Sequence, residues 1–213
     1  MFLFQIVMTI FVQVAAFLFL VFTNKSNKNN WKKTSILFLI SILVTFFVSY
    51  IARFVSQNIV EFTKFIIVYE LIYCAAIIDY RMKIIPNILI FLGFLVRSVC
   101  YVVEIVWLKF DWKEILLQDL LGVIAGAGTL LLMYAVTKNA IGLGEVIIFL
   151  VIGITCGFHY TYQILFLSIL IAAICGIYCL VVKKYKKDHA IAFAPCILAG
   201  YLLSMTLVVH SYS

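Results

Sequence analysis

Long apolar runs separated by short polar segments dominate the chain. Most runs are close to 20 residues long, which is what a helix needs to cross a hydrocarbon layer of ~30 Å. They lie at 2–22, 34–55, 58–78, 85–107, 115–137, 141–158, 161–182 and 190–209. The pattern predicts an all-α, polytopic membrane helix bundle of about eight transmembrane helices, with residues 1–213 forming a single integral membrane domain. The first run lacks a basic start and a small-residue cleavage site, so we expect a membrane helix there rather than a secretory signal.

Composition excludes a water-soluble domain. Hydrophobic residues make up 66% of the chain and charged residues 12%, which leaves too little polar surface to cover a globule in water. The net charge of +7 comes from basic residues that flank the apolar runs. Membrane lipids with anionic headgroups are therefore the expected partners of these residues, and no nucleic acid is expected.

The basic residues also predict the topology. With eight spans, eleven of them fall on one face of the membrane and four on the other. The richer face carries Lys25, Lys28, Lys32, Lys33, Arg81, Lys83, Lys138, Lys183, Lys184, Lys186 and Lys187. Short loops rich in Lys and Arg stay in the cytoplasm. We therefore expect a multi-pass protein of the inner or plasma membrane, with both termini outside and with Asp79 and Glu145 at the cytoplasmic face.

Asp79 ends the third apolar run, and Pro86 and Asn87 open the fourth. The fixed φ of Pro86 suits the first turn of a helix, so the connection between the two runs should be constrained. A functional carboxylate at position 79 is one interpretation. The alternative is an interfacial aspartate that is solvated and paired with Arg81.

Glu145 opens the sixth run and follows two glycines, Gly142 and Gly144. Glycines at these positions allow a tight backbone and the close approach of an extended peptide, which side chains would block. A catalytic carboxyl would suit this setting. The alternative is a glutamate at a helix start, where the helix dipole favours negative charge.

Other ionisable groups inside the runs need partners, because charge in a membrane is costly. We expect Glu70 to pair with Arg97 in the antiparallel fourth run, with Glu104 as the rival partner. Asp119 is expected to face outward at the interface. No sequence pattern predicts a metal site or a cofactor: the six cysteines lie in apolar runs without a Cys-x-x-Cys pair.

Glycines spaced four apart predict tight helix packing. They are Gly122 and Gly126 in the fifth run, with Gly128 close by, and Gly153 and Gly157 in the sixth. Small residues at this spacing let two helix backbones approach closely. We therefore expect the fifth and sixth runs to pack tightly against neighbouring helices.

Three segments resemble the motifs of the type IV prepilin peptidase family. Residues 78–87 resemble its first catalytic motif, in which an aspartate precedes Ile-Pro-Asn or Ile-Pro-Asp by several residues. Residues 141–146 resemble its Gly-x-Gly-Asp box, with a glutamate in place of the aspartate. Residues 191–195 resemble its Pro-Phe-Gly-Pro segment, weakened at two positions. The resemblance covers about residues 65–205.

The resemblance implies an intramembrane-type aspartic endopeptidase. Such enzymes remove the leader peptide of type IV pilin-like precursors at the cytoplasmic face, without a cofactor. Asp79 and Glu145 would be the two catalytic carboxyls, one activating a water and the other donating a proton. By the same resemblance, the site would be shaped for substrate by Gly142, Gly144, Pro86 and Asn87.

Three departures from the family pattern keep other interpretations open. Glutamate at position 145 adds about 1.5 Å of reach, and a misplacement of about 1 Å can cost about a hundredfold in rate. Ile147 stands where the family often has lysine. Only Thr23 to Lys33 stands where larger members carry a domain with Cys-x-x-Cys motifs, so the resemblance does not extend to N-methylation. A weak or inactive relative that binds pilin-like helices, or a small transporter using Glu70, Asp79 and Glu145, are the alternatives.

Overall fold

The computed structural model describes residues 13, 31–56, 58–106, 108–109, 111–136, 142–181 and 192–212. These residues contain no strand, which confirms the all-α prediction for this part of the chain. The helices are α1 (Trp31–Val55), α2 (Ile59–Met82), α3 (Asn87–Val106), α4 (Trp112–Val123), a π-helical segment (Ile124–Gly128), α5 (Thr129–Val136), α6 (Leu143–Val181) and α7 (Ala194–Tyr212).

The protein is a membrane protein by the length and composition of these helices. Within the described residues, three stretches are long and apolar enough to cross a membrane: Asn87–Val106, Trp112–Val136 and Leu143–Cys179. Ser41–Val55 and Ala194–Val208 are shorter apolar helices. The count of eight spans stays a prediction, because the first predicted span lies outside the described residues apart from Gln13.

Helix α6 reverses direction at Gly157. A straight helix of its 39 residues would be about 58 Å long, far longer than the hydrocarbon layer is thick. Gly157 has φ 73° and ψ −175°, a backbone conformation that favours glycine. The hydroxyl of Thr161 lies 3.5 Å from the carbonyl oxygen of Ile152, although nine helical residues would separate them by about 13 Å. The two arms, 143–156 and 158–181, therefore lie side by side.

Glycines allow α4 and the π-helical segment that follows it to approach both arms of α6. A Cβ added to Gly122 would lie 2.5 Å from the carbonyl oxygen of Gly153. A Cβ added to Gly126 would lie 2.7 Å from Cγ2 of Thr161 and 3.2 Å from the carbonyl oxygen of Phe149. No side chain fits in these spaces, so the backbones meet directly. The predicted tight packing is confirmed for Gly122, Gly126 and Gly153, whereas a Cβ at Gly128 or Gly157 would meet no atom closer than 3.8 Å.

The predicted Glu70–Arg97 pair is wrong. Arg97 donates to Oε2 of Glu104 at 2.8 Å and to Oδ2 of Asp119 at 2.5 Å, whereas Glu70 accepts from the hydroxyl of Thr45 on α1 at 2.9 Å. Glu104 lies two turns from Arg97 on the same face of α3, within reach of the long guanidinium. Glu70 occupies the face of α2 that meets α1, so it is directed away from α3.

Asp119 is buried, with only 6% of its surface exposed, and the prediction of an outward-facing aspartate is also wrong. Its Oδ2 accepts from Arg97 and from the hydroxyl of Tyr101. Lys64 of α2 completes the network with a 2.7 Å bond to Glu104. The network ties α2, α3 and α4 together and borders a cavity of about 340 Å³. A cation inside a membrane bundle requires such partners, which rotate Asp119 inward.

Substitution of Gly122 by alanine should destabilise the bundle, because the new methyl group would displace the backbone of Gly153. We expect a loss of about 1–3 kcal/mol in the free energy of unfolding in detergent, typical of overpacking. Gly176→Ala is the matched control, since nothing lies within 4 Å of a Cβ at that position. Both changes gain helix propensity equally, so equal stability of the two variants would contradict the close contact.

Candidate active site

Asp79 lies in the last turn of α2 and is buried, with 5% of its surface exposed. Helix α2 ends sharply: Lys83 adopts a left-handed conformation with φ 54°, and its N–H donates to the carbonyl oxygen of Asp79 at 2.8 Å. Such a left-handed residue is a common helix terminator. The side chain of Asp79 is thereby held at the end of a rigid element rather than in a loop.

The carboxylate of Asp79 contacts the start of α7. Its Oδ2 accepts from the backbone N–H of Ala194 at 3.1 Å, across 115 residues of sequence. The first N–H groups of a helix have no partner within the helix. Phe193 has no polar side chain to cap α7, and Pro195 has no N–H. Asp79 therefore supplies from another helix the acceptor that a local cap residue would normally provide.

Glu145 lies in the first turn of α6 and is half-buried. Its Oε2 accepts from the backbone N–H of Gly142 at 3.1 Å, while its own N–H donates to the carbonyl oxygen of Gly142 at 3.1 Å. A glutamate that folds back onto the cap residue three positions earlier forms half of a capping box. The prediction of a helix-start glutamate and the prediction of a functional carboxyl are thus both compatible with this position.

The two carboxyl groups come together at the same end of the bundle. The Glu145 carboxylate is close enough to Asp79 for their charges to interact, and it also interacts with the backbone amide of Phe193. Two consecutive residues, Phe193 and Ala194, therefore face the two carboxyls. Residues 78–87, 142–146 and 192–195, which are widely separated in sequence, meet here.

Gly144 joins the first two of these segments. A Cβ at this position would lie 3.0 Å from Cβ of Ile85, so the glycine allows the connection after α2 to rest on the start of α6. Pro86 immediately precedes α3, and its carbonyl oxygen accepts from the N–H of Leu89 at 3.1 Å. Pro86 therefore lies one residue before the helical turn in which we expected it. Asn87 begins α3 and is exposed.

Family comparison gives a result that agrees with this geometry. Residues 65–177 match the model of the type IV leader peptidase family, which is more than half of the chain. The chain belongs to the type IV leader peptidase family. The matched range contains both Asp79 and Glu145. It ends before residues 191–195, so the resemblance of that segment to the family stays a prediction.

A member of the family from Bacillus subtilis (strain 168) is named prepilin leader peptidase/N-methyltransferase. It is 29% identical to this chain over 137 residues, which is 63% of this chain and 52% of the relative. The chain thus spans about half the length of the curated relative that it matches. No solved structure matches the chain.

Ile85, Phe193 and Ala194 lie in segments that the sequence singled out as motifs, but their own contacts in the site were not predicted. Phe193 and Ala194 act through backbone amides, which a search for reactive side chains does not find. Pro195 directly after Ala194 was a usable signal, because proline is common in the first turn of a helix. Metal ligation has no comparable support: within the described residues, no group of three His, Cys, Asp or Glu side chains could hold a metal ion.

Asp79→Ala should cost about 1–3 kcal/mol of stability, because it leaves the buried N–H of Ala194 without an acceptor. Asp79→Asn keeps a carbonyl oxygen at the same position, so its loss should be clearly smaller. Unfolding in detergent measures both, with Glu114→Ala as an exposed control that should change stability by less than about 0.5 kcal/mol. Equal losses for the alanine and asparagine variants would mean that the contact does not stabilise the fold.

Proposed function

We propose that this protein is a membrane aspartic endopeptidase that removes the leader peptide of type IV pilin-like precursors at the cytoplasmic face. Asp79 and Glu145 are its two catalytic carboxyls in this proposal. The observation that carries it is the convergence of the two carboxyls at the start of α7, within a family of leader peptidases. Two carboxyls in one site can supply both the general base and the general acid that cleavage of a peptide bond requires.

The proposed reaction uses a water held between the carboxyls. The ionised carboxyl takes a proton from the water, and the resulting hydroxide attacks the carbonyl carbon of the scissile peptide bond. The protonated carboxyl donates its proton to the carbonyl oxygen and thereby neutralises the developing negative charge. When the tetrahedral intermediate collapses, the carboxyl that took the water's proton gives it to the leaving nitrogen as the C–N bond breaks. The other carboxylate takes a proton from a hydroxyl of the intermediate, which restores the starting pair. Two neighbouring carboxyls favour sharing one negative charge, which suits this division of roles.

The longer side chain of Glu145 is compatible with this role. Its carboxylate does not extend fully away from the backbone but folds back towards the N–H of Gly142. The additional methylene is accommodated by this bend, which keeps the carboxyl near the start of its own helix. One oxygen accepts from Gly142, and in the proposed reaction the other faces the water.

The surroundings of the carboxyls suit a substrate with an apolar helix. Tyr80 and Met82 at the end of α2 and Leu143 at the start of α6 expose 76%, 60% and 52% of their surfaces. These side chains lie close in sequence to the two carboxyls. A precursor whose cleavage site directly precedes a hydrophobic helix could place that helix against them while the leader stays in the cytoplasm.

The capping contact supports a second candidate function. Glutamate at the third position of a helix often serves only to cap it. If the bond from Gly142 to Glu145 is purely structural, the protein would be a non-catalytic relative that binds pilin-like helices as an assembly partner. Leader removal by the wild-type protein separates the two candidates.

Co-expression with a pilin-like precursor tests the proposal through the mass of the processed product. Asp79→Asn and Glu145→Gln should each lower the rate of leader removal about a hundredfold or more, since each removes an acid/base group. Glu145→Asp should retain or increase activity, and Glu114→Gln at an exposed position should leave it unchanged. Normal cleavage by Glu145→Gln would remove Glu145 from the mechanism. Absence of cleavage by the wild-type protein would favour the assembly partner.

A further inference from the structure

The side chain of Ile85 lies directly over Gly144. A Cβ built on Gly144 would be 3.0 Å from Cβ, 3.2 Å from Cδ1 and 3.4 Å from Cγ1 of Ile85. Three atoms of one side chain thus surround the position that a Gly144 side chain would occupy. Ile85 is half-buried and packs against the hydrophobic core. It fills a hole that exists only because residue 144 has no side chain.

This contact connects the two carboxyl segments through side-chain packing. Ile85 follows Asp79 by six residues, and Gly144 directly precedes Glu145. The segment that carries Ile85 has little freedom, because left-handed Lys83 precedes it and the fixed ring of Pro86 follows it. A shift of Ile85 relative to Gly144 would therefore change the separation of the two carboxyls.

We propose that Ile85 is a positioning residue, which sets the distance between the carboxyls of Asp79 and Glu145 by resting on Gly144. The inference rests on the proposed function, since it assigns Ile85 to the same site. Ile85 does not touch the reacting atoms in this proposal. Its effect is geometric: it fixes the end of α2 against the start of α6.

The contact is tested by substitutions that enlarge residue 144 and then remove the side chain of residue 85. Gly144→Ala introduces a methyl group 3.0 Å from Cβ of Ile85, which is attached directly to the backbone and can move only with it. We expect kcat for leader removal to fall about fivefold, with little change in KM, because the contact forces a shift of a few tenths of an ångström and about 1 Å of misplacement costs about a hundredfold. The double variant Ile85→Gly with Gly144→Ala removes the clash and should recover most of the lost kcat.

Two matched variants distinguish a positioning role of Ile85 from a general gain of backbone flexibility between α2 and α3. Ile85→Ala keeps the Cβ that causes the clash, so Ile85→Ala with Gly144→Ala should remain as impaired as Gly144→Ala alone. Ile84→Gly adds the same backbone freedom one residue earlier, at a side chain that is 67% exposed, and should lower kcat less than about threefold. Equal recovery of kcat with alanine and with glycine at position 85 would overturn the proposal. So would additive effects on kcat of Ile85→Gly and Gly144→Ala, each measured alone and then together.

A second measurement does not depend on activity. Asp79→Cys and Glu145→Cys are introduced together, and a short bifunctional thiol reagent cross-links them in membranes, with the linked peptides identified by mass spectrometry. Adding Gly144→Ala should lower the yield of this cross-link severalfold, and adding Ile85→Gly as well should restore it. If the yield follows this pattern but the wild-type protein cleaves no precursor, the proposed function fails and the positioning role stands. If cleavage occurs but the yield does not respond to these changes, the positioning role fails.

Discussion

The amide groups at the start of α7 have no hydrogen-bond partner within their own helix. The arrangement of the two carboxyls depends on this constraint. Ala194 is fully buried, and a buried backbone N–H group needs a hydrogen-bond acceptor. Phe193 cannot cap α7 with its side chain, and Pro195 contributes no N–H. The N–H of Ala194 is satisfied by Asp79, and the amide of Phe193 interacts with Glu145. Helix capping and carboxyl convergence are therefore the same interaction.

The opposite end of the bundle depends on a different interaction. Lys64 and Asp79 lie 15 residues apart on α2, which corresponds to about 22 Å along the helix. At the Lys64 end, paired charges join α2, α3 and α4. Removing one member of a buried ion pair leaves an uncompensated charge and typically costs about 3–5 kcal/mol. Helix α2 is thus held at both ends, by ion pairs at one and by an amide–carboxylate contact at the other, which fixes the depth of Asp79.

The sequence was sufficient to predict the features that repeat or that follow a simple rule. Counting spans and basic residues predicted that Asp79 and Glu145 share one end of the bundle. The four-residue spacing of Gly122 with Gly126, and of Gly153 with Gly157, predicted close helix contact. The partners of Arg97 could not be obtained in this way. Depth in the membrane suggested Glu70, but the choice among acceptors depends on how each helix is rotated about its axis. That rotation is set by packing of whole helix faces, which a single sequence does not specify.

In the candidate site, too, some features could be predicted from the sequence and others could not. Asp79 and Glu145, whose side chains would carry the chemistry in the proposed function, were visible in the sequence. The contacts that assemble the site were not, because they are backbone amides and a single apolar side chain, Ile85. Such groups have no chemical signature in the sequence and gain their role only from three-dimensional proximity. The empty position at Gly144 was predicted as space for a substrate, yet it is occupied by the protein's own chain.

The contact between Ile85 and Gly144 changes how the glutamate at position 145 can be understood. An additional methylene would misplace a carboxyl if the backbone around it were unchanged. Here the side chain bends back to Gly142, while Gly144 lets the start of α6 move close to Ile85. If Ile85 positions the site as proposed, the distance between the carboxyls depends on three lengths: the side chain of Glu145, the contact at Gly144 and the connection from Asp79 to Ile85. A longer side chain can be compensated by either of the other two, so glutamate at this position is compatible with a productive pair.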